Sequence, residues 1–405
     1  MTNKYWLGIL PHVYYVQKNN KALLYNTQTG EHIHTQNIQV INLLEQMHDR
    51  KNLGVICVDE ITAFIRESVS KNICSITEIT DDRLKPIQLM PVLNLQRDIE
   101  KLKQEEGRSL GEDVLHYLSD VTIYINRLCR LNCRHCKDYH HQFFHCSKSL
   151  DTENIDLNLL QQFLKQLAFT FIRRLAITGG NIFLYPYFSE LITFLQKERI
   201  RPLFGIHCGD IDKDKIILLN DFPKEIFVTF PIEKNYIENI AFLSKQDNTK
   251  IIFEISSVET HQQAESLIAE YAIENYDYKP FYNDENQIFF EKNVYLTKED
   301  IFNNPIPQRI IFARQKLNTN FFGSLTLMPN GKIYANVNRQ ELGNIETDSL
   351  LDLIHKEMND NTAWRHTRNE APCSDCLYQY LCPSPTNYEQ AIGRPNLCHC
   401  VPKEQ

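Results

Sequence analysis

Val121-Thr122-Ile123-Tyr124-Ile125 is a short β-rich run, and just beyond it comes Cys129-Arg130-Leu131-Asn132-Cys133-Arg134-His135-Cys136. Three thiols in eight residues, held at the end of a strand, can wrap one small metal centre from a single loop. Thiolates are soft ligands and suit iron–sulfur clusters or zinc. On a four-iron cubane, three protein ligands leave one iron open to another molecule. A zinc site built from Cys133, Cys136 and the nearby His135, His140, His141, His145 and Cys146 is the competing reading. A zinc knuckle would require neither Cys129 nor a position at the end of a strand.

Outward from this loop, the chain alternates short apolar runs with helical periodicity. Arg174 to Thr178, Leu203 to Ile206, Ile226 to Phe230 and Ile251 to Ile255 read as strands. Leu159 to Leu167, Leu191 to Leu195, Ile216 to Leu219, Tyr236 to Leu243 and Ala264 to Tyr271 read as helices between or after them. Strands of ~5 residues alternating with helices imply βα units and a parallel sheet, and runs apolar on both faces imply that helices cover it. Residues 119–300 are assigned to this α/β region. Residues 1–80 form a separate N-terminal unit, beginning with a hairpin over His12 to Val16 and Lys21 to Tyr25 that turns at Asn19-Asn20. Helices follow over Ile38 to Met47 and, begun near Asp59, over Ile61 to Val69. Residues 81–118 read as a linker ending in a charged helix. Residues 301–405 hold a hairpin turning at Pro329-Asn330-Gly331, a short helix from Ser349 and a loop-rich tail. A tail this rich in cysteine and proline needs a metal centre to hold its shape.

Composition narrows the function classes. The chain has 405 residues, 42% of them hydrophobic and 23% charged, with a net charge of −8. That is globular composition, and the acidic balance argues against a nucleic-acid partner. No run approaches the ~18 apolar residues of a membrane span, and no signal peptide is legible. Nine of twelve cysteines fall within 129–146 and 373–400. A secreted disulfide framework would be denser and sit on a shorter chain, so a cytoplasmic metal-binding protein is expected.

Two further motifs carry chemistry. Thr178-Gly179-Gly180-Asn181 ends the second strand, where glycines permit close backbone approach. Ile206-His207-Cys208-Gly209-Asp210 ends the third, with Gly209 read as a turn and Cys208 as a buried small residue. In the tail, Cys373-x2-Cys376-x5-Cys382 is followed by Cys398 and Cys400. A zinc ribbon with four thiolates is the competing reading of that set.

Strand, then C-x3-C-x2-C, then helix resembles the radical S-adenosylmethionine superfamily. The resemblance implies a partial (βα)6 barrel. Cys129, Cys133 and Cys136 would hold a 4Fe–4S cluster that chelates S-adenosylmethionine and yields a 5′-deoxyadenosyl radical. Gly179, Gly180 and Asn181 would meet the cofactor's methionine end, with Asn181 standing where the family carries Glu. Asn can accept one hydrogen bond from the cofactor amine but lacks the charge. The tail, with Met328 to Tyr334 and Leu342 to Ile345, resembles the SPASM extension of peptide-modifying members. Asn336 and Thr386 stand where that pattern has cysteines. The resemblance therefore implies one auxiliary 4Fe–4S cluster, held by Cys373, Cys376, Cys382 and either Cys398 or Cys400. The N-terminal α+β unit resembles the winged-helix-like modules that bind leader peptides.

The expectation is a maturase of a ribosomally made precursor peptide. A pseudo-enzyme that binds peptide or a second, active radical S-adenosylmethionine maturase is the alternative, and a zinc-stabilised binding protein the second alternative.

Overall fold

The computed structural model describes residues 4–49, 51–80, 84–87, 104, 113–133, 136, 141–147 and 154–400. Most of the expected linker and charged helix at 81–118, and His135 and His140, lie outside the described residues.

The N-terminal region contains β1 (Tyr5–Ile9), β2 (Val13–Lys18), β3 (Lys21–Asn26), β4 (His32–Thr35), β5 (Val55–Val58) and β6 (Cys74–Glu78). They form two antiparallel sheets, ordered β5-β1-β6 and β2-β3-β4. Asn19 and Asn20 both take positive φ, at 48° and 57°, which the two-residue hairpin turn between β2 and β3 requires. Helix Ile38–His48 is capped by Asn37 and helix Ala63–Ser70 by Thr62, three residues after Asp59. Leu7, Ile9, Leu24, Ile41, Leu44 and Met47 share the core between these elements. The region holds more strand than a hairpin followed by helices. β1 and β6 are the additions, and β1 lies between its two neighbours in its sheet.

The α/β region supplies β7 (Asp120–Tyr124), β8 (Arg174–Thr178), β9 (Leu203–His207), β10 (Lys224–Val228), β11 (Thr249–Ile255) and β12 (Tyr276–Pro280). These six strands are parallel and lie side by side in chain order. Helices Leu157–Gln166, Phe188–Lys197, Lys234–Leu243 and Val258–Tyr271 connect them. Between β9 and β10, Ile216–Leu219 makes only a turn of 3-10 helix. The sequence reading did not include β12: Tyr-Asp-Tyr-Lys-Pro alternates aromatic and charged residues, but it is short, ends in proline and has none of the apolar run that marked the other strands. It lies at the sheet edge, where a terminal proline is tolerated. The other end of the sheet is extended by β13 (Ser324–Leu327), parallel to β7, and then by β14 (Lys332–Tyr334) and β15 (Gly343–Asn344), both antiparallel. One apolar core runs from Val114 to Trp364 and takes Val121, Ile123, Ile226, Val228, Ile251 and Phe253 from one face of this sheet, while Phe227 and Ile252 on the other face pack with Phe144 and Cys146.

A third core joins the two ends of the chain. Tyr14, Leu23 and Tyr25 from β2 and β3 pack with Ile301, Ile311, Leu377, Tyr378 and Leu381. The N-terminal hairpin is thus seated on the cysteine-rich tail. Among the described residues, no helix is long and apolar enough to cross a membrane.

Candidate metal and cofactor site

Parallel strands bring their C-terminal ends to one edge, where α/β folds gather ligand-binding groups. Here that edge collects the loops after β7, β8 and β9. Asn126, fully buried just past β7, ties the first two together. Its Nδ2 donates to the Asn181 carbonyl at 2.7 Å, and its Oδ1 accepts from the Gly180 N–H at 3.1 Å. The two glycines make this contact possible. A Cβ on Gly180 would stand 2.2 Å from the Leu128 carbonyl oxygen, and one on Gly179 would stand 2.4 Å from Asn126 Oδ1. The close approach these glycines permit is therefore to the chain's own loop.

Asn181 is committed in full. Its N–H donates to Leu128 and its carbonyl accepts from Asn126. Its Oδ1 caps the next turn by accepting from the Phe183 N–H at 2.9 Å. Its Nδ2 donates to Asp210 Oδ1 at 3.1 Å. The amide thus turns a donor, not an acceptor, toward the end of β9.

Asp210 follows β9 and is 6% exposed. Its two carboxylate oxygens lie 3.5 and 3.7 Å from Cys129 Sγ. Burial, and then the Asp210 charge, push the Cys129 thiol up to about 12. Burial, then Cys136 and Cys129, push Cys133 to about 12 as well. Cys136 is half-buried, and it is among the groups that raise both other thiols. Cys133 Sγ stands 3.8 Å from His207 Nε2, which also meets Thr229 Oγ1 at 3.0 Å. The Gly209 N–H donates to His207 Nδ1, so the ring proton sits on Nε2. Burial lowers the His207 pKa to about 4 and keeps the ring neutral.

Of the residues in the competing zinc reading, His141, His145, Cys133, Cys136 and Cys146 are described, and Cys136 and Cys133 are among the groups that raise the Cys146 thiol. Cys146 packs with Phe144, Phe227 and Ile252 as a core residue. His145 is buried and hydrogen bonds to the Cys146 carbonyl, and His141 stacks on it. Cys208 is fully buried, as read from the sequence.

The tail gathers its thiols more tightly. Cys373, Cys376, Cys382, Cys398 and Cys400 line one small cavity with Arg368 and Gln379. The Cys398 and Cys400 thiols hydrogen bond to each other, which raises the Cys400 pKa strongly. Arg368 is 9% exposed and its fork is fully used. It donates to the carbonyls of Pro383 and Pro395, to Glu389 at 2.6 Å, and lies 3.9 Å from Cys373 Sγ. At the two positions where cysteine was expected and not found, polar side chains anchor one helix. Thr386 caps helix Asn387–Ile392 reciprocally with Glu389, and Asn336 Nδ2 donates to Asn387 Oδ1 at 2.7 Å. Among the described residues, no three His, Cys, Asp or Glu side chains are grouped as a single metal ion would need.

Sequence reasoning passed over Asn126, Asp210, Glu254 and Arg368. Glu254 carried a usable signal, being the one carboxylate in the apolar run Ile251 to Ile255. It is 5% exposed, and burial lifts its pKa to about 8. Arg368 carried none, because its partners come from loops distant in sequence.

No model of a protein family matches the chain, and no curated protein matches it. Among solved structures it is similar to Streptococcus suis SuiB bound to precursor peptide SuiA. That match has 13% identity over 98% of this chain and 100% of that one, with a TM-score of 0.49. It is similar also to SuiB bound to S-adenosylmethionine, at 13% identity over 98% and 100%, with a TM-score of 0.48. SuiB alone matches at 12% identity over 96% and 98%, with a TM-score of 0.49. A likeness of this size bears on neither substrate nor chemistry.

Proposed function

We propose that the chain is a radical S-adenosylmethionine maturase of a ribosomally made precursor peptide, working in the cytoplasm. The observation that carries the reading is the meeting of Cys129 and Cys133 with the buried Asp210 and His207, at the C-terminal ends of β7 and β9. Cys129, Cys133 and Cys136 would hold a 4Fe–4S cluster, and a donor set of three half-buried thiols fits it. When bound, such a cluster supplies the electron that cleaves S-adenosylmethionine. The chain's own part is to orient that cofactor. Gly179, Gly180 and Asn181 form the wall along its methionine end, held in place by Asn126. His207 stays neutral and keeps its ring N–H on the Cys133 and Thr229 side.

The tail thiols Cys373, Cys376 and Cys382, with Cys398 or Cys400, would hold one auxiliary 4Fe–4S cluster. Five thiols around one cavity, with Arg368 beside Cys373, support that assignment. The position of the missing first auxiliary cluster is taken by hydrogen bonds from Asn336 and Thr386. The precursor peptide would add to an edge of an N-terminal sheet, a mode that depends on backbone pairing.

One observation favours a second reading, that of a pseudo-enzyme which binds peptide or partners an active maturase. The Asn181 side chain carries no charge, its Oδ1 already accepts from the Phe183 N–H and its Nδ2 donates to Asp210.

The test is 5′-deoxyadenosine formation by anaerobically reconstituted, reduced protein supplied with S-adenosylmethionine, with iron and zinc measured in the same sample. The expected result is formation that Cys129→Ala abolishes. Iron without 5′-deoxyadenosine, even with the substrate peptide present, would leave the partner reading. Zinc in place of iron, with failed reconstitution, would sink both.

A further inference from the structure

Five thiols meet at the tail cavity, and a four-iron cluster uses four protein ligands. The C-x2-C-x5-C run supplies Cys373, Cys376 and Cys382, so one of Cys398 and Cys400 is left over. A thiolate that ligates iron carries negative charge. N–H groups aimed at its sulfur stabilise that charge and hold the ligand in place. The tail places such donors unevenly. The Tyr378 N–H donates to Cys376 Sγ at 3.4 Å, and Arg368 Nη1 stands 3.9 Å from Cys373 Sγ. Asn396 Nδ2, in the wall of the same cavity, donates to Cys398 Sγ at 3.3 Å. The loop site repeats the pattern, where the Leu131 N–H donates to Cys129 Sγ at 3.3 Å. Among the described residues, no N–H donates to the sulfur of Cys382 or Cys400. Cys382 has its place from the run, and the Cys400 thiol bonds to that of Cys398.

The backbone separates the two candidates as well. Cys398 forms a parallel bridge with Leu296. The Leu296 N–H donates to the Leu397 carbonyl at 3.0 Å, and the His399 N–H donates to the Leu296 carbonyl at 2.9 Å. The chain is thus pinned on both sides of Cys398, and little conformational freedom is left to lose on coordination. Cys400 makes no backbone hydrogen bond among the described residues.

We propose that Cys398 is the fourth ligand of the tail cluster, that Asn396 is a positioning residue donating to its sulfur, and that Cys400 is a thiol held beside the cluster without ligating it. This inference rests on the auxiliary-cluster reading proposed above, and it decides between two cysteines that spacing leaves equivalent.

The test reconstitutes wild-type protein, Cys398→Ala, Cys400→Ala and Asn396→Leu anaerobically. Iron per chain and the electron paramagnetic resonance spectrum of the reduced sample are recorded for each. Wild type should hold about eight iron, Cys398→Ala about four with the tail cluster's signal lost, and Cys400→Ala about eight with both signals kept. Asn396→Leu removes the donor and leaves every thiol in place. Redox titrations followed by the same resonance then compare its potentials with those of wild type. The reduced cluster carries the greater negative charge, so loss of an N–H donor destabilises it. The tail cluster's potential should therefore move to a more negative value, and the loop cluster's should not change. Loss of iron from Cys400→Ala, full iron in Cys398→Ala, or an unshifted tail potential in Asn396→Leu would each overturn the assignment. If wild type and the Cys373→Ser/Cys376→Ser pair hold equal iron, the tail carries no cluster, and the reading beneath this inference falls instead.

Discussion

Around Cys129 and Cys133 the described ionisable neighbours include the acidic Asp210 and Glu254; around Cys373, Cys376 and Cys382 they include the cations Arg368 and Lys18. Burial raises the thiols in both places. In the loop the neighbouring carboxylates raise them further. In the tail Arg368 pulls Cys373 and Cys382 back down, and Lys18 does the same for Cys376. A metal centre held by thiolates concentrates negative charge. The tail answers that charge with the chain's own cations, and Glu389 takes up only part of the Arg368 charge. Among the described residues the loop's acidic neighbours add to it instead.

The sharpest way to break this comparison is to empty one site and count the other. Two four-iron clusters predict about eight iron per chain after reconstitution, and about four after either Cys129→Ala or a Cys373→Ser/Cys376→Ser pair. Iron determination with electron paramagnetic resonance of the reduced samples checks it. A single site whose removal strips all the iron would show that the two regions are not independent centres.

Next in size is the buried Arg368–Glu389 pair. Arg368→Ala strands Glu389 beside the thiols and leaves two carbonyls without their donor. Breaking such a pair costs about 3–5 kcal/mol. Urea unfolding should show that loss, with the iron held by the loop site retained on the folded protein. A loss below ~1 kcal/mol would mean that the tail does not depend on its own cation.

The two regions also differ in how far the sequence disclosed them. Spacing alone singled out all eight candidate thiols, because cysteines gathered in a short segment leave a local pattern. The parallel order of β7 to β11 was legible for a similar reason: covered strands read as apolar runs between periodic helices. What was hidden is what faces the thiols. Asp210 meets Cys129 across 81 residues and Arg368 meets Glu389 across 21, and no local pattern records such pairs. The glycines after β8 were read as making room for a ligand, and the Leu128 carbonyl occupies the space a Cβ on Gly180 would need. The docking of β2 and β3 on the tail was equally invisible, since it joins segments about 300 residues apart.

The acidic character of the loop region has a consequence for stability. Glu254 has an ordinary carboxyl pKa of 4.5, raised by burial to about 8 in the fold. Between those values the unfolded chain has released a proton that the folded chain keeps. Stability is therefore greatest below pH 4.5 for this group and falls as pH rises toward 8. Glu254→Gln removes that slope. In metal-free protein the variant should match wild type near pH 4.5 and exceed it by a few kcal/mol at pH 8. Urea midpoints at the two pH values check it. A difference independent of pH would show that Glu254 is held ionised.

The smallest expected effect tests whether the tail's cations sense the thiols' charge. Lys18, at the end of β2, donates to the Ser374 carbonyl at 2.5 Å and to Gln379 Oε1, bridging the N-terminal hairpin to the cavity wall. Its pKa is lowered by burial and raised by Cys376, Asp375 and Cys373. With the thiols protonated, two hydrogen bonds, the Asp375 charge and the Tyr380 ring face 6.0 Å away hold it. With the thiols ligating a cluster, their negative charge adds to the attraction. Lys18→Met keeps the side chain's length and apolar packing and removes the charge. It should cost about 1 kcal/mol in metal-free protein and measurably more after reconstitution. Thermal unfolding of both forms reads the difference. An equal cost in the two forms would mean that Lys18 is a strut between the hairpin and the tail, and that Arg368 alone balances the thiolates.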